Sequence, residues 1–403
     1  MDIKICKWLN DADSPVMFMI DDLANTWVDM NRNGQVEPGE DWGYFKDHEH
    51  SSFRYLERQL LSPFPDVKVT FFVPVGVRSG IIKQPLFKQI SKPINADEES
   101  RRFFSYIHSH PRFELAYHGT THGQAGEKAE DFIQEWDSFS NVEDAVQRTE
   151  QGIETFKDAV GVRPQGGKYC GYVSNRYSDD SIDATGFLWW CRYWNRGVLE
   201  RNSGDISGRD FDKRSNFDVK RFGKNGVVDI PSTVNGEMLN SLYFPGKTVK
   251  GLVKRMLKKP LLRMKLLEID YLLKHKLVIS IQEHIAPARD DGKRQNPNIF
   301  DDRQSLTHIF RYLQKKKVWY CTGTELAVYV NTRDKVNVVV QEGRNFRLEY
   351  DPCAHHQMIT LRFKQKRGSV LLPDQTSVTI TNGIANLKVM DGNYTVIESA
   401  RKT

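Results

Sequence analysis

The chain has 403 residues, of which 39% are hydrophobic, 11% aromatic and 27% charged. That is a globular composition, and it excludes collagen, coiled coil and wholesale disorder. Its 58 Lys and Arg against 52 Asp and Glu leave a net charge of +6. Ten of those bases and only two of those acids fall between Lys247 and Lys276. The remainder is therefore faintly acidic, and no nucleic-acid partner is expected. The cysteines, Cys6, Cys170, Cys191, Cys321 and Cys353, are odd in number and form no Cys-x-x-Cys pair. Reduced thiols are expected rather than a disulfide framework or zinc knuckle. The apolar run Val16–Ile20 is too short for a signal-peptide core, and no run approaches the ~20 residues of a membrane span. A cytoplasmic protein, at most peripheral to a membrane, is the expectation.

Short apolar runs alternate with helical patterns over about the first 330 residues. The strand candidates are Val16–Ile20, Val67–Val73, Phe113–Tyr117, a weaker one near Arg163–Lys168, Phe187–Cys191, Val227–Ile230, Leu277–Ile281 and Val318–Cys321. They are solidly apolar, as strands buried on both faces are. Between them, Ser51 can cap a helix over Ser52–Leu61. Asn141 can cap Val142–Val160, which stops at Gly161, and Asp301 or Asp302 can open Gln304–Lys316. Seven or eight βα units in series predict a distorted barrel of the TIM type over residues 1–330. From 331 to 403 the pattern changes to short alternating strands between turn residues, which predicts a small antiparallel β-sandwich or sheet.

In a βα barrel the chemistry gathers where strands end. Asp21 and Asp22 follow the first strand, His118 follows the third, Arg163 opens the weak fourth and His284 follows a late one. His118 and His122 are four residues apart, so a turn presents both imidazoles on one side. With a carboxylate, for which Asp22 is placed, they make a facial metal site with positions left for water and substrate. Among eleven His such a spacing also arises in core or solvated pairs, and only the strand-end context argues for a site.

This ordered set resembles the polysaccharide deacetylase superfamily, carbohydrate esterase family four, from Asp21 to His284. The resemblance implies a distorted (β/α)7-8 barrel and removal of N- or O-acetyl groups from a sugar or glycan. It implies a divalent metal, Zn2+ first, with Co2+, Ni2+ or Mn2+ as alternatives. By resemblance, Asp22, His118 and His122 hold the metal, Asp21 is the base, Arg163 steadies that base, and His284 is the acid. Such an enzyme belongs with lipopolysaccharide or cell-surface glycan assembly. The chain departs from the family in having Leu23 after Asp22, Gly119 after His118, and Gln165-Gly166-Gly167-Lys168 after Arg163-Pro164. Those departures leave open another amide bond, of deformylase or imidase type, or a non-catalytic glycan-binding barrel.

Other signals lie beside this core. Asp29, Asn31, Asn33, Gln35 and Glu40 match a calcium-loop pattern, with Gly34 at the sixth position; without flanking helices, the same residues also suit a loop that only shapes the barrel mouth. Trp190, Trp194 and Tyr169 are candidate sugar-stacking rings, although alternation along a strand must bury half of such a cluster. Residues 247–276 are basic and partly amphipathic, suited either to an anionic membrane or to a solvated covering helix. The sugar and the oligomeric state are not legible.

Overall fold

The computed structural model describes residues 2–192 and 216–398. The chain divides into two compact units. One comprises Val16–Lys316 and Tyr320–Thr324, and the other comprises Met1–Pro15, Lys317–Trp319 and Glu325–Thr403.

The larger unit is mixed α/β. Its strands are β1 (Ser14–Asp21), β2 (Val69–Val73), β3 (Phe113–Tyr117), β4 (Gly166–Lys168), β5 (Trp189–Cys191), β6 (Lys220–Phe222), β7 (Val227–Asp229), β8 (Val234–Asn235) and β9 (Ile279–His284). They lie side by side in the order β6-β7-β5-β4-β3-β2-β1-β9-β8. Every neighbouring pair is parallel except β6 with β7. The path does not return on itself among the described residues, so the sheet is an open relative of the closed barrel expected from the sequence. Strands β1, β2, β3 and β9 are buried throughout, as their apolar runs predict for a sheet covered on both sides. The helices of this unit include α1 (Glu98–Ser109), α2 (Val142–Val160), α3 (Val249–Met256), α4 (Lys258–Lys274) and α5 (Arg303–Leu313).

Helix α2 starts and stops where its sequence says. The Asn141 side chain accepts from the Asp144 N–H, and Gly161 takes a left-handed conformation at φ 89°, which a residue with a Cβ adopts at a cost. The Ser52–Leu61 helix differs from expectation. Its cap residue Ser51 makes no side-chain bond, and only Ser52–Tyr55 is α-helical before a wider π-turn over Leu56–Leu61. Strand β4 is nearly all glycine because it lies against two indoles. A Cβ on Gly166 would sit 2.0 Å from Trp189 Cε2, and one on Gly167 would sit 2.3 Å from Trp190 Cζ3.

The smaller unit is a single eight-stranded antiparallel sheet. It curls until its terminal strands, Ile3–Ile5 and Val336–Val340, meet. It is thus the antiparallel sheet of the two forms expected, curled into a near-barrel rather than folded into a sandwich. Its core holds Phe346 stacked on Tyr394 among Leu361, Val370, Leu387 and Val396. A strand from the beginning of the chain belongs to it, since Ile3 pairs with Phe363 and Ile5 with Leu361. The division of the chain thus differs from a single cut after residue 330.

Candidate metal and hydrolase site

Strands β1, β3, β4 and β9 end around one cavity of ≈ 400 Å³, lined among others by Asp21, His118, His122, Tyr172, Gln282 and His284. Asp22 leaves β1 with a left-handed backbone at φ 65°, and His122 does the same at φ 70°. Non-glycine residues take that conformation only where the surroundings hold them, often at functional sites. The result is a tight cluster. Asp22 Oδ1 lies 3.1 Å from His122 Nε2 and 3.6 Å from His118 Nε2.

The donor set of this cluster fits a cation. His118 Nδ1 lies 2.9 Å from the Lys168 carbonyl, which can only accept, so the ring proton is on Nδ1 and the Nε2 lone pair faces Asp22. Asp22 Oδ1 and His122 Nδ1 are buried without hydrogen-bond partners. Burial pushes the His118 imidazole down to about 4, so it is neutral and ready to ligate at neutral pH. Burial would by itself raise Asp22, but His122 and Arg78 outweigh it and hold its carboxyl well below the usual range. The buried Cys170 thiol also lies in the group, with ligand atoms of His118, His122 and Cys170 all within 4.8 Å of one another. Cys170 donates instead to the His118 carbonyl at 2.9 Å, and burial pushes its thiol far up.

Asp21 lies beside this cluster. Its oxygens accept from Lys168 Nζ at 2.9 and 2.6 Å, and Oδ2 accepts from Gln282 Nε2 at 3.2 Å. The Tyr172 hydroxyl donates to Gln282 Oε1 at 2.5 Å, which turns the amide nitrogen towards Asp21. Lys168 is fully buried, its ammonium 4.2 Å from the Tyr172 ring centre and 5.3 Å from that of Phe72. His284 Nε2 is 4.0 Å from Asp21 Oδ2. Its Nδ1 donates to the Pro297 carbonyl at 2.7 Å, and its Nε2 accepts from Gln295 Nε2 at 2.9 Å. Burial lowers its pKa, so the resting ring is neutral.

One carboxylate outside the cluster shapes it. Glu135, 2% exposed, accepts from the successive amides of Thr120, Thr121 and His122 at 2.7–2.9 Å. The turn from His118 to His122 is wrapped round that carboxyl. Gly119, at φ 87°, has no room for a Cβ, which would fall 2.6 Å from Glu135 Oε2. On Asp22, Arg78 Nη2 holds the oxygen turned away from the histidines at 2.9 Å, and its guanidinium lies over the Trp42 ring.

No family model matches the chain, and no curated protein matches it in sequence. Solved structures do align. A probable polysaccharide deacetylase from Pseudomonas aeruginosa PAO1 aligns at 15% identity and TM-score 0.43, covering 80% of this chain and 93% of that one. The allantoinase PuuE aligns at 14% identity and TM-score 0.41, covering 80% and 92%. A CE4 family pseudoenzyme from Bacillus anthracis aligns at 12% identity and TM-score 0.35, covering 78% and 65%. The chain resembles polysaccharide deacetylases. At these identities and TM-scores, the role of each residue rests on the site's own geometry.

That geometry gathers Asp21, Asp22, His118, His122 and His284, and it leaves out Arg163. The Arg163 guanidinium donates to the Thr185 carbonyl at the far end of β4, and the cation on Asp21 is Lys168. Arg163 precedes β4, whereas Lys168 ends it, so the strand-end rule applied to a three-residue strand selects Lys168. Trp190 and Tyr169, expected as sugar-stacking rings, are both fully buried. Trp190 packs against Tyr117, Trp136, Tyr169 and Phe187, and the Tyr169 hydroxyl is bonded to Asp179. Neither offers a face to solvent. Trp194 lies outside the described residues.

The 29–40 segment is a loop that closes on itself. Asp29 accepts from the Asn33 and Gly34 amides, Asn31 from Asn33, Asn33 from Gln35, and Glu40 from Met30 and Glu37. Those bonds are internal to the loop and shape it.

Proposed function

We propose that this site is a metal-dependent hydrolase that removes an acetyl group from an acetylated sugar. The observation that carries the reading is the convergence of Asp22 Oδ1, buried without a hydrogen-bond partner, with His118 Nε2 and His122 Nε2, beside a second carboxylate already paired to a cation. Asp22, His118 and His122 would hold a divalent ion. Such an ion supplies Lewis acidity and brings the pKa of coordinated water towards ~7.

The chain's own groups supply the proton transfers. Asp21, paired with Lys168 and Gln282, is placed to take the proton of the attacking water. His284 stands 4.0 Å from Asp21 with its unprotonated Nε2 turned to the cavity, placed to receive the proton that Asp21 takes from the water and to pass it to the leaving nitrogen or oxygen. The other cavity-lining side chains Gln134, Arg289, Gln295 and Asn296 are hydrogen-bonding groups, which suits a hydroxyl-rich substrate. The burial of Trp190 and Tyr169 favours a second reading on the same machinery, in which the bond belongs to a smaller amide that needs no stacking platform.

The test is acetate release from N-acetylhexosamine oligomers and O-acetyl esters by protein loaded with Zn2+ or Co2+. Asp21→Asn should lower kcat about 10²–10⁴-fold while keeping the metal. Product masses distinguish acetate from formate or a ring-opened imide. Metal-loaded protein that turns over none of these substrates contradicts the proposal.

A further inference from the structure

Helix α3 exposes its apolar side. Val249, Leu252, Val253 and Met256 are 79%, 56%, 46% and 77% exposed. They stand at the i, i+3, i+4, i+7 spacing that makes one face of a helix. The only residue α3 buries is Gly251, on the opposite side, where a Cβ would meet the Gly246 carbonyl at 1.7 Å. The helix is therefore seated by its glycine, and its apolar stripe points outward. Phe244 just before it, at 60%, and Leu257, Met264 and Leu267 beyond it, at 48%, 58% and 57%, extend the apolar surface onto α4.

Soluble surfaces rarely leave such a stripe bare. Its setting indicates the chemistry of what covers it. Lys250 and Lys254 flank the stripe on one side and Arg255 on the other, with Lys258, Lys259 and Arg263 at the junction with α4. The two acids of the segment are Glu268 and Asp270, and Asp270 is bound to Lys316 and Tyr312. The 247–276 segment holds ten bases and two acids in a chain that is otherwise slightly acidic. An outward apolar stripe bordered by long basic side chains is the arrangement of a helix lying in the plane of an anionic bilayer. There the apolar residues enter the acyl boundary and the Lys and Arg heads reach the phosphates.

We propose that α3 and the start of α4 dock this protein on an anionic lipid surface. No helix among the described residues is long and apolar enough to cross a membrane, so the contact is interfacial. This inference is independent of what the cavity hydrolyses.

The experiment is co-sedimentation of the full chain with phosphatidylcholine vesicles, with and without roughly one-third phosphatidylglycerol. It compares wild type with L252E/M256E and K254E/R255E, at about 0.1 and about 0.5 M NaCl. The partition coefficient should be at least roughly ten-fold higher on the anionic vesicles and should fall at high salt. Each variant should lose at least roughly ten-fold, with an unchanged melting temperature, because Leu252, Arg255 and Met256 are exposed in the free protein and Lys254 is only half-buried. Absence of binding to anionic vesicles, or binding indifferent to both variants, overturns the proposal. Two further outcomes also overturn it. A wild-type dimer that L252E/M256E makes monomeric shows that a second copy covers the stripe. A loss of about 3 °C or more in that variant's melting temperature shows that the stripe is covered within the chain.

Discussion

Lys168 and Asp21 form a fully buried ion pair with two short contacts, 2.6 and 2.9 Å. Removing one partner of such a pair leaves a charge in a low-dielectric site and costs about 3–5 kcal/mol. Lys168→Met should therefore destabilise the protein by about that much, softened slightly because Gln282 still donates to Asp21. Asp21→Asn alone strands the ammonium and should cost a similar amount. The double variant removes both charges and should lie within about 2 kcal/mol of wild type. The assay is a double-mutant cycle by urea unfolding in chelator, where no bound metal contributes. The expected coupling is about 4 kcal/mol or more, and single-variant costs that add within about 0.5 kcal/mol would refute the pairing. The same Lys168→Met protein has a kinetic signature: the Asp21 carboxylate loses the ammonium that fixes it, and kcat should fall at least about ten-fold, whereas an unchanged kcat means that Asp21 is not the base.

Three other outcomes follow from the geometry. Glu135→Ala strands one buried and two partly buried amides and should cost about 2–3 kcal/mol in denaturant midpoint measurements, with metal affinity reduced through the loosened 118–122 turn. Arg163→Ala should leave the pH profile of kcat/KM unchanged and cost about 1 kcal/mol or less in stability, because its partner is a partly buried carbonyl rather than Asp21. The metal-free protein should weaken as pH falls from about 6.5 to about 4. The folded His118 pKa lies below its unfolded value, so the native state binds fewer protons in that window. At about 1.4 kcal/mol per unit the His118 part of the loss is about 3 kcal/mol, and His118→Asn should remove that part while the buried His284 keeps its own. Asp22, whose folded pKa is depressed, acts lower, its contribution being lost only as pH falls below about 3.8.

Much of the site is legible in the sequence because strand ends concentrate it. The run Val16–Ile20 stops at Asp21-Asp22, Phe113–Tyr117 stops at His118, and Leu277–Ile281 runs out shortly before His284, so the rule that chemistry lies past the strand selects four of the five clustered residues directly. His122 follows from its spacing. Lys168 escapes because its strand carries no apolar signal: Gly166 and Gly167 are there to make room for Trp189 and Trp190, which are distant in sequence. Glu135 escapes because its role is set by amides thirteen to fifteen residues away across an irregular loop. The aromatic run misleads for the reason that identifies β5 as a strand, since its rings are core rather than a platform. The pairing of Ile3–Ile5 with Met358–Phe363 joins residues some 360 positions apart, and nothing in either segment's local pattern names the other.

The central claim is that Asp22, His118 and His122 hold a divalent ion. Its most direct test is titration of chelator-treated protein with Zn2+ by calorimetry. One ion should bind per chain in the wild type and in Asp21→Asn, with at least roughly ten-fold weaker binding in His118→Ala, His122→Ala and Asp22→Asn. Stoichiometric binding that survives all three ligand substitutions, or a folded wild type that binds no divalent ion, would contradict the account.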